Sequence, residues 1–179
     1  MPEIEIRPAA ASDLAVIAGF DHTYQTAYVW QMDRQIEDGH VGVNFREVRL
    51  PRSIHVDYPN PKIPGSEGSG AAPVILMALL NHEAVGYIGV RDDLRPETTW
   101  VSDLAVCPQV RRRGIGTALL LAAQEWGVHR KCRYIILEMQ SKNHPAIKLA
   151  MKLGYEFCGY NDHYYLNQDI ALFFTRYLR

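Results

Sequence analysis

The chain has 179 residues, a net charge of −1 and 47% hydrophobic residues. This length and composition fit one globular domain with a buried core. The near-neutral charge argues against a protein built to bind nucleic acid or an anionic membrane. The three cysteines form neither a complete disulfide set nor a Cys-x-x-Cys metal clip, and we expect no metal.

The N-terminal sequence MPEIEIRPAA lacks the basic and apolar regions of a signal peptide. No apolar run approaches the length that crosses a bilayer. We therefore expect a cytoplasmic protein without a membrane partner.

The first part of the chain alternates short regular segments with turns. In chain order it predicts a strand over Glu3–Arg7, a helix capped by Ser12-Asp13 and running to about Phe20, and a β-hairpin over Thr26–Val56 with Asp38-Gly39 at its turn. Prolines, glycines and serines over Tyr58–Pro73 predict a loop. We expect the hairpin and the loop, about residues 26–73, to be an insertion in a single domain that spans residues 1–179.

The rest of the chain is more regular. It predicts, in chain order, strands at Val74–Leu80, Ala84–Arg91 and Trp100–Val106, a helix at Gly116–Val128, a strand at Tyr134–Met139, a helix at Pro145–Leu153, and strands at Tyr155–Tyr160 and Ile170–Leu178. This order predicts one mixed sheet with helices on its faces.

An arginine- and glycine-rich turn separates the strand that ends at Val106 from the following helix. Arg111, Arg112 and Arg113 precede Gly114 and Gly116. Glycines allow an anion to approach the unpaired N–H groups of a helix N-terminus, and arginines add charge, which predicts a pyrophosphate site. A dinucleotide fingerprint would need a third glycine where Leu119 stands, and a P-loop would need Gly-Lys-Ser/Thr. A solvated arginine cluster beside a tight turn is the alternative.

Two segments resemble a known family. Arg111-Arg112-Arg113-Gly114-Ile115-Gly116 resembles the Arg/Gln-x-x-Gly-x-Gly/Ala signature of the GNAT superfamily of N-acetyltransferases. Asn143-His144-Pro145-Ala146 followed by Lys152-Leu153-Gly154-Tyr155 is similar to its second conserved segment. The resemblance covers about Val74–Tyr160. The C-terminal half resembles streptothricin-acetyltransferase-like members, and also acetyltransferases that modify protein N-termini or lysines.

The resemblance implies an α+β fold in α/β/α layers. Its twisted mixed sheet would be mostly antiparallel, with a splayed parallel strand pair at the centre and helices on both faces. Acetyl-CoA would lie in the splay between Trp100–Val106 and Tyr134–Gln140. The implied cofactor-binding residues are Leu104, Ala105 and Val106 for the pantetheine arm, Arg111, Arg112, Arg113, Gly114, Ile115, Gly116 and Thr117 for the pyrophosphate, and Asn143 for the arm, where a helix N-cap is the alternative role.

The implied reaction is direct attack of a primary amine, on a small molecule or a peptide, on the acetyl thioester. Asp103 is the candidate general base, with Val101 expected on its face of the strand. The alternatives are an ion pair with an arginine or attraction of a cationic substrate. Ala150 stands where the family often has a tyrosine general acid, so the acid would be water or one of Tyr155, Tyr160, Tyr164 and Tyr165.

The acceptor is expected between Asp21–Asp57 and Asn161–Asp169, which contain acids and aromatic residues suited to a cationic amine. A non-catalytic acyl-CoA-binding regulatory module is the alternative function. Binding of nucleic acid is not expected. The edge strands of the final hairpin are compatible with a homodimer.

Overall fold

The structure, a computed structural model, describes residues 3–58 and 72–179. The loop predicted over Tyr58–Pro73 therefore lies almost wholly outside the described residues. The elements are β1 (Ile4–Pro8), α1 (Leu14–Ala18), β2 (Tyr24–Glu37), β3 (His40–Val56), β4 (Val74–Leu80), β5 (Glu83–Arg91), β6 (Thr98–Val106), α2 (Ile115–His129), β7 (Tyr134–Gln140), α3 (His144–Lys152), β8 (Glu156–Asn161) and β9 (Ala171–Tyr177).

Seven strands form one mixed sheet in the order β1-β4-β5-β6-β7-β9-β8. Every neighbouring pair is antiparallel except β6 and β7, which are parallel. The chain passes through α2 between these two strands, since parallel strands need a crossover connection. The predicted mixed sheet with a central parallel pair is confirmed.

Buried side chains pack on both faces of this sheet. The larger cluster contains Leu119 from α2 and Ile147 from α3, together with Val101 and Leu137. The smaller cluster joins Ile17 of α1 and Phe20 to Met77, Tyr87 and Ala105 of the sheet. Helices therefore cover both faces, as predicted, and the face with the smaller cluster is called the α1 face below. No helix in residues 3–58 and 72–179 has both the length and the hydrophobicity to cross a membrane.

The predicted hairpin is confirmed as β2 and β3, which form a separate two-stranded sheet. Gly39 has a φ of +75°, a conformation that its missing side chain permits at the Asp38-Gly39 turn. The Trp30 N–H donates to the Ser141 carbonyl at 2.9 Å, and the Phe45 ring lies 5.2 Å from that of Tyr160. The hairpin is thereby attached to the end of β7 and to β8.

The first helix is shorter than predicted. A 3₁₀ turn at Ala11–Asp13 leads into α1, which ends at Ala18 rather than near Phe20. Asp13 does not cap α1 with its side chain. Its carboxylate instead accepts hydrogen bonds from the Ala10 N–H at 2.7 Å and from the Arg7 guanidinium at 2.7 and 3.0 Å. These bonds fix the tight turn that joins β1 to α1.

We expect Asp13→Asn to lower the thermal unfolding temperature at neutral pH. Arg7 and the Ala10 N–H hold the pKa of Asp13 at about 2, below its ordinary value of 3.8. A lowered folded-state pKa stabilises the protein above the unfolded pKa, and this stabilisation is lost as the pH falls through the folded value. The difference in unfolding temperature between variant and wild type should therefore shrink between about pH 4 and about pH 2. A difference that stays constant over that range, with Glu37→Gln as the exposed control, would contradict this assignment.

Candidate active site

The parallel strands β6 and β7 separate part-way along their length. They pair over Thr98–Val101 and Tyr134–Leu137, whereas β6 continues to Val106 and β7 to Gln140. Beyond the paired segment, β6 remains bonded to β5 and β7 to β9. Their inner backbone edges are therefore open within the described part of the chain. An extended molecule with amide groups can add to such an edge as a strand would.

A β-bulge lies where the strands separate. Gly89 of β5 pairs with Asp103 and the next residue, Val90, pairs with Val101, so Ser102 is the additional residue. A bulge of this kind changes the alternation of side chains along its strand. Val101 consequently packs with α2 in the larger cluster. Asp103 lies on the α1 face beside Tyr87, and the prediction that Val101 shares its face is wrong.

Asp103 is a buried carboxylate with polar neighbours; its side chain is 8% exposed. The Tyr87 hydroxyl donates to Oδ2 of Asp103, and Nδ1 of His22 lies 3.8 Å from Oδ1. The other ring nitrogen of His22 is 3.3 Å from the Tyr87 hydroxyl. Burial, and then the Asp103 charge, raise the pKa of Tyr87, so this phenol remains a proton donor to the carboxylate.

Glu138 of β7 is a second carboxylate at the splay. Its Oε2 accepts hydrogen bonds from the Tyr164 hydroxyl at 3.0 Å and from Nε1 of Trp100 at 3.3 Å. Burial and the Glu138 carboxylate raise the pKa of Tyr164 to about 12, which keeps its hydroxyl protonated as a donor. Glu138 was not among the residues predicted from the sequence.

Two further tyrosines contribute to this site, Tyr58 after β3 and Tyr165 in the β8–β9 connection. Tyr58 stacks on His22 with 6.0 Å between ring centroids and meets Tyr165 edge-on at 6.2 Å. Burial raises the pKa of Tyr58, and Asp103 and Glu138 raise it further, so its hydroxyl lies within electrostatic range of both. The α1 face at the splay is thus lined by acids and phenols.

The predicted pyrophosphate turn begins α2. Gly114 is the N-cap of the helix with a φ of +88°, and its carbonyl accepts the Ala118 N–H at 2.9 Å. The N–H groups of Ile115, Gly116 and Thr117 precede this first helical bond, so they are the unpaired donors of the helix N-terminus. The helix dipole adds positive potential at the same place. These groups can bind a phosphate.

The three arginines of this turn differ in their contacts. The Arg111 guanidinium donates to the carbonyls of Val106 at 2.8 Å, Thr23 at 2.8 Å and Asp21 at 3.1 Å. It therefore fixes the segment containing His22 against the end of β6. Arg112 and Arg113 are exposed. Their guanidinium groups, rather than that of Arg111, are available for phosphate.

Comparison with known proteins agrees with this geometry. Residues 45–155, more than half of the chain, match the model of the acetyltransferase (GNAT) family. The chain belongs to the GNAT family. It is an acyltransferase of that type.

Similar proteins with known names are also acetyltransferases. Streptothricin acetyltransferase from Streptomyces lavendulae is 26% identical over 160 residues, which cover 87% of this chain and 82% of that protein. N-alpha-acetyltransferase 30 from Xenopus laevis is 33% identical over 106 residues, which cover 58% of this chain and only 39% of that protein.

Solved structures share the fold. The crystal structure of nourseothricin acetyltransferase superposes with a TM-score of 0.83 at 21% identity and covers 98% of this chain and 99% of its own. A Bacillus anthracis structure determined in complex with acetyl coenzyme A has a TM-score of 0.76 at 19% identity, with 98% and 99% of the two chains covered.

The second GNAT segment also has a structural role. Asn143 is the N-cap of α3, and its Oδ1 accepts the Ala146 N–H at 3.2 Å. The N-cap role weighed for this residue is confirmed. The cap uses only the side-chain oxygen, so the amide nitrogen can still serve the predicted contact with the cofactor arm.

The candidate replacements for the usual GNAT tyrosine separate into two groups. Ala150 is fully buried in the core with α2 and α3. Tyr155 belongs to the same core and accepts a hydrogen bond from Gln124 at 3.1 Å, and Tyr160 packs on Phe45. These two tyrosines serve packing. Tyr164 and Tyr165, in contrast, lie with Glu138 at the splay.

Proposed function

We propose that this GNAT enzyme transfers the acetyl group of acetyl-CoA to a primary amine of a small cationic molecule, in a ternary complex and by direct attack. The observation that carries the proposal is the buried Asp103–Tyr87–His22 cluster immediately beyond the bulge, beside the open edges of β6 and β7. A base at this place is adjacent to the strand edge that suits an acyl-carrying arm.

The residues at the splay and at α2 suit acetyl-CoA. The edge of β6 over Leu104, Ala105 and Val106 would pair with the amides of the pantetheine arm, except at the Val106 carbonyl, which already accepts Arg111. The N–H groups of Ile115, Gly116 and Thr117, and the exposed Arg112 and Arg113, would hold its phosphates. Bound acetyl-CoA supplies an acetyl thioester whose thiolate is a good leaving group.

Deprotonation of the acceptor is the step that this chain's side chains would perform. A primary amine is protonated at neutral pH and must lose a proton before it can attack a carbonyl carbon. Asp103 would accept that proton at Oδ1 while Tyr87 continues to donate to Oδ2. His22 faces both groups and is partly exposed, so it would pass the proton to solvent. An N–H group on the open edge of β6 would donate to the developing oxyanion.

Side-chain contacts between the start of β2, the end of β7 and the β8–β9 connection support a small acceptor over a long peptide. Tyr24 is buried and donates to Gln140, whose amide donates in turn to Asp169 at 2.8 Å. Asp169 also forms an ion pair with Lys142 at 2.5 Å. Together, these contacts join the start of β2, the end of β7 and the β8–β9 connection. The relative named for streptothricin covers most of this chain, whereas the N-alpha-acetyltransferase relative covers 58% of it.

Calorimetric titration with acetyl-CoA, with desulfo-CoA and adenosine diphosphate as comparators, tests the cofactor assignment. We expect a Kd on the order of micromolar for acetyl-CoA, and release of CoA in the presence of small cationic amines. Absence of acetyl-CoA binding would refute the proposal. Binding without turnover over a broad amine panel would instead support the non-catalytic acyl-CoA-binding module.

A further inference from the structure

Glu138 has no part in the proton transfer assigned to Asp103, although both carboxylates lie at the splay. It follows Leu137, the last residue of β7 that pairs with β6. Leu137 packs on the α2 side of the sheet, and neighbouring residues of a strand point to opposite faces. Glu138 therefore lies on the α1 face, as Asp103 does, but on the other splayed strand.

Aromatic side chains surround Glu138. Trp100 and Tyr164 donate to the same oxygen, and both rings pack against Phe173, with centroids 5.6 and 5.9 Å apart. Tyr164 is itself exposed and lies at the solvent end of the group. A carboxylate enclosed by aromatic rings is suited to an organic cation, because ring faces and the acid both attract positive charge.

Tyr165 supplies an independent indication that a ligand belongs here. Its side chain is 2% exposed and packs edge-on against Tyr58 and Tyr164. Its hydroxyl makes no hydrogen bond to any residue of the described chain. A buried hydroxyl without a hydrogen-bond partner destabilises the fold unless a ligand supplies the missing hydrogen bond. The Tyr165 ring lies 5.2 Å from the ring of Tyr164, which donates to the Glu138 carboxylate. Burial, and then Tyr58 and the Glu138 carboxylate, raise the pKa of Tyr165.

We infer that Glu138, Trp100, Tyr164 and Tyr165 form a second cation subsite, and that the acceptor is a diamine. One nitrogen reacts beside Asp103, while the other remains protonated and is held by the Glu138 carboxylate and the Tyr165 hydroxyl. This inference rests on the proposed transferase function and narrows its acceptor class. Glu138 then selects the acceptor by binding its second nitrogen, and Asp103 deprotonates the nitrogen that reacts.

The test compares 1,5-diaminopentane and 1,4-diaminobutane with 1-aminopentane in the wild type and in Glu138→Gln. Binding is measured by calorimetry with desulfo-CoA present, and turnover by CoA release from acetyl-CoA. We expect Glu138→Gln to raise the Kd and KM of at least one diamine about tenfold or more, and to change the 1-aminopentane values by less than about twofold. Glu156→Gln, an exposed acid on β8, is the matched control and should change neither.

Tyr165→Phe provides a second variant whose folding is not at risk. Removal of an unpartnered buried hydroxyl should leave the unfolding temperature equal or higher, yet lower the diamine affinity. Equal wild-type affinities for diamine and monoamine, or a diamine affinity unchanged in Glu138→Gln, would overturn the subsite. Absence of CoA release over a broad amine panel would refute the proposed transfer instead, whereas diamine binding that depends on Glu138 would still support the subsite.

Discussion

Asp103→Asn should lower turnover by about 10²–10⁴-fold, the usual contribution of a positioned general base. Asparagine has nearly the same shape as aspartate and can still accept a hydrogen bond from Tyr87, so the bulge and the strand pairing should persist. The amide cannot take a proton from the acceptor ammonium. Since Asp103 is not among the groups assigned to phosphate, the acetyl-CoA Kd should change by less than about twofold.

The pH profile separates a base from a carboxylate that merely attracts the substrate. If Asp103 is the base, the variant should regain activity as the pH rises towards the pKa of the free amine, because more of the acceptor is then already neutral. If Asp103 only attracts a cation, the variant should show a raised KM and nearly unchanged kcat. Glu37→Gln, an exposed acid at the end of β2, is the control. Wild-type turnover in a folded Asp103→Asn protein would exclude the assignment.

The sequence was informative where one local pattern determines the structure. The apolar run of β4, the stripe of α2 and the Asp38-Gly39 turn each depend on neighbouring residues, and the corresponding strands and helices were predicted within a few residues. The turn at Gly114 was also predictable, because three arginines and two glycines stand immediately before an apolar helix.

The arrangement of the site could not be read in the same way. The bulge at Ser102 depends on register with β5 and places Asp103 on the face opposite Val101. Glu138 acquires its partners from Trp100 and Tyr164, which are distant in sequence. Alternation along Tyr134–Met139 could have marked Glu138 as a charged residue within a central strand. Only the tertiary structure brings it next to the aromatic residues.

Arg111 lies in a motif that the sequence did reveal, but its contacts could not be predicted from that motif. The Arg-Arg-Arg-Gly motif predicted phosphate contact by the three arginines without distinguishing among them, and the structure uses the Arg111 guanidinium to hold the carbonyls of Val106, Thr23 and Asp21. Three adjacent arginines are indistinguishable by residue type. Their roles separate only when the end of β6 and the α1–β2 connection come together around one of them.

Gly116→Val should raise the acetyl-CoA Kd by about thirtyfold or more, equivalent to about 2 kcal/mol. The added side chain would cover the first-turn N–H groups of α2 that are assigned to the pyrophosphate. A Cβ at Gly116 would also lie 3.1 Å from Cδ2 of Leu149, the flexible end of a side chain on α3. Displacement of α3 is therefore a competing cause of weaker binding.

The double variant Gly116→Val with Leu149→Ala separates the two causes, since alanine removes the crowding but leaves the valine over the N–H groups. Affinity that stays low in the double variant identifies the blocked N–H groups as the cause, and recovery identifies packing. Gly159→Val makes the same change on β8, where an added Cβ meets nothing within 4 Å, and should leave the Kd within about twofold of wild type. Wild-type affinity in a folded Gly116→Val protein would remove the N-terminus of α2 from the cofactor site.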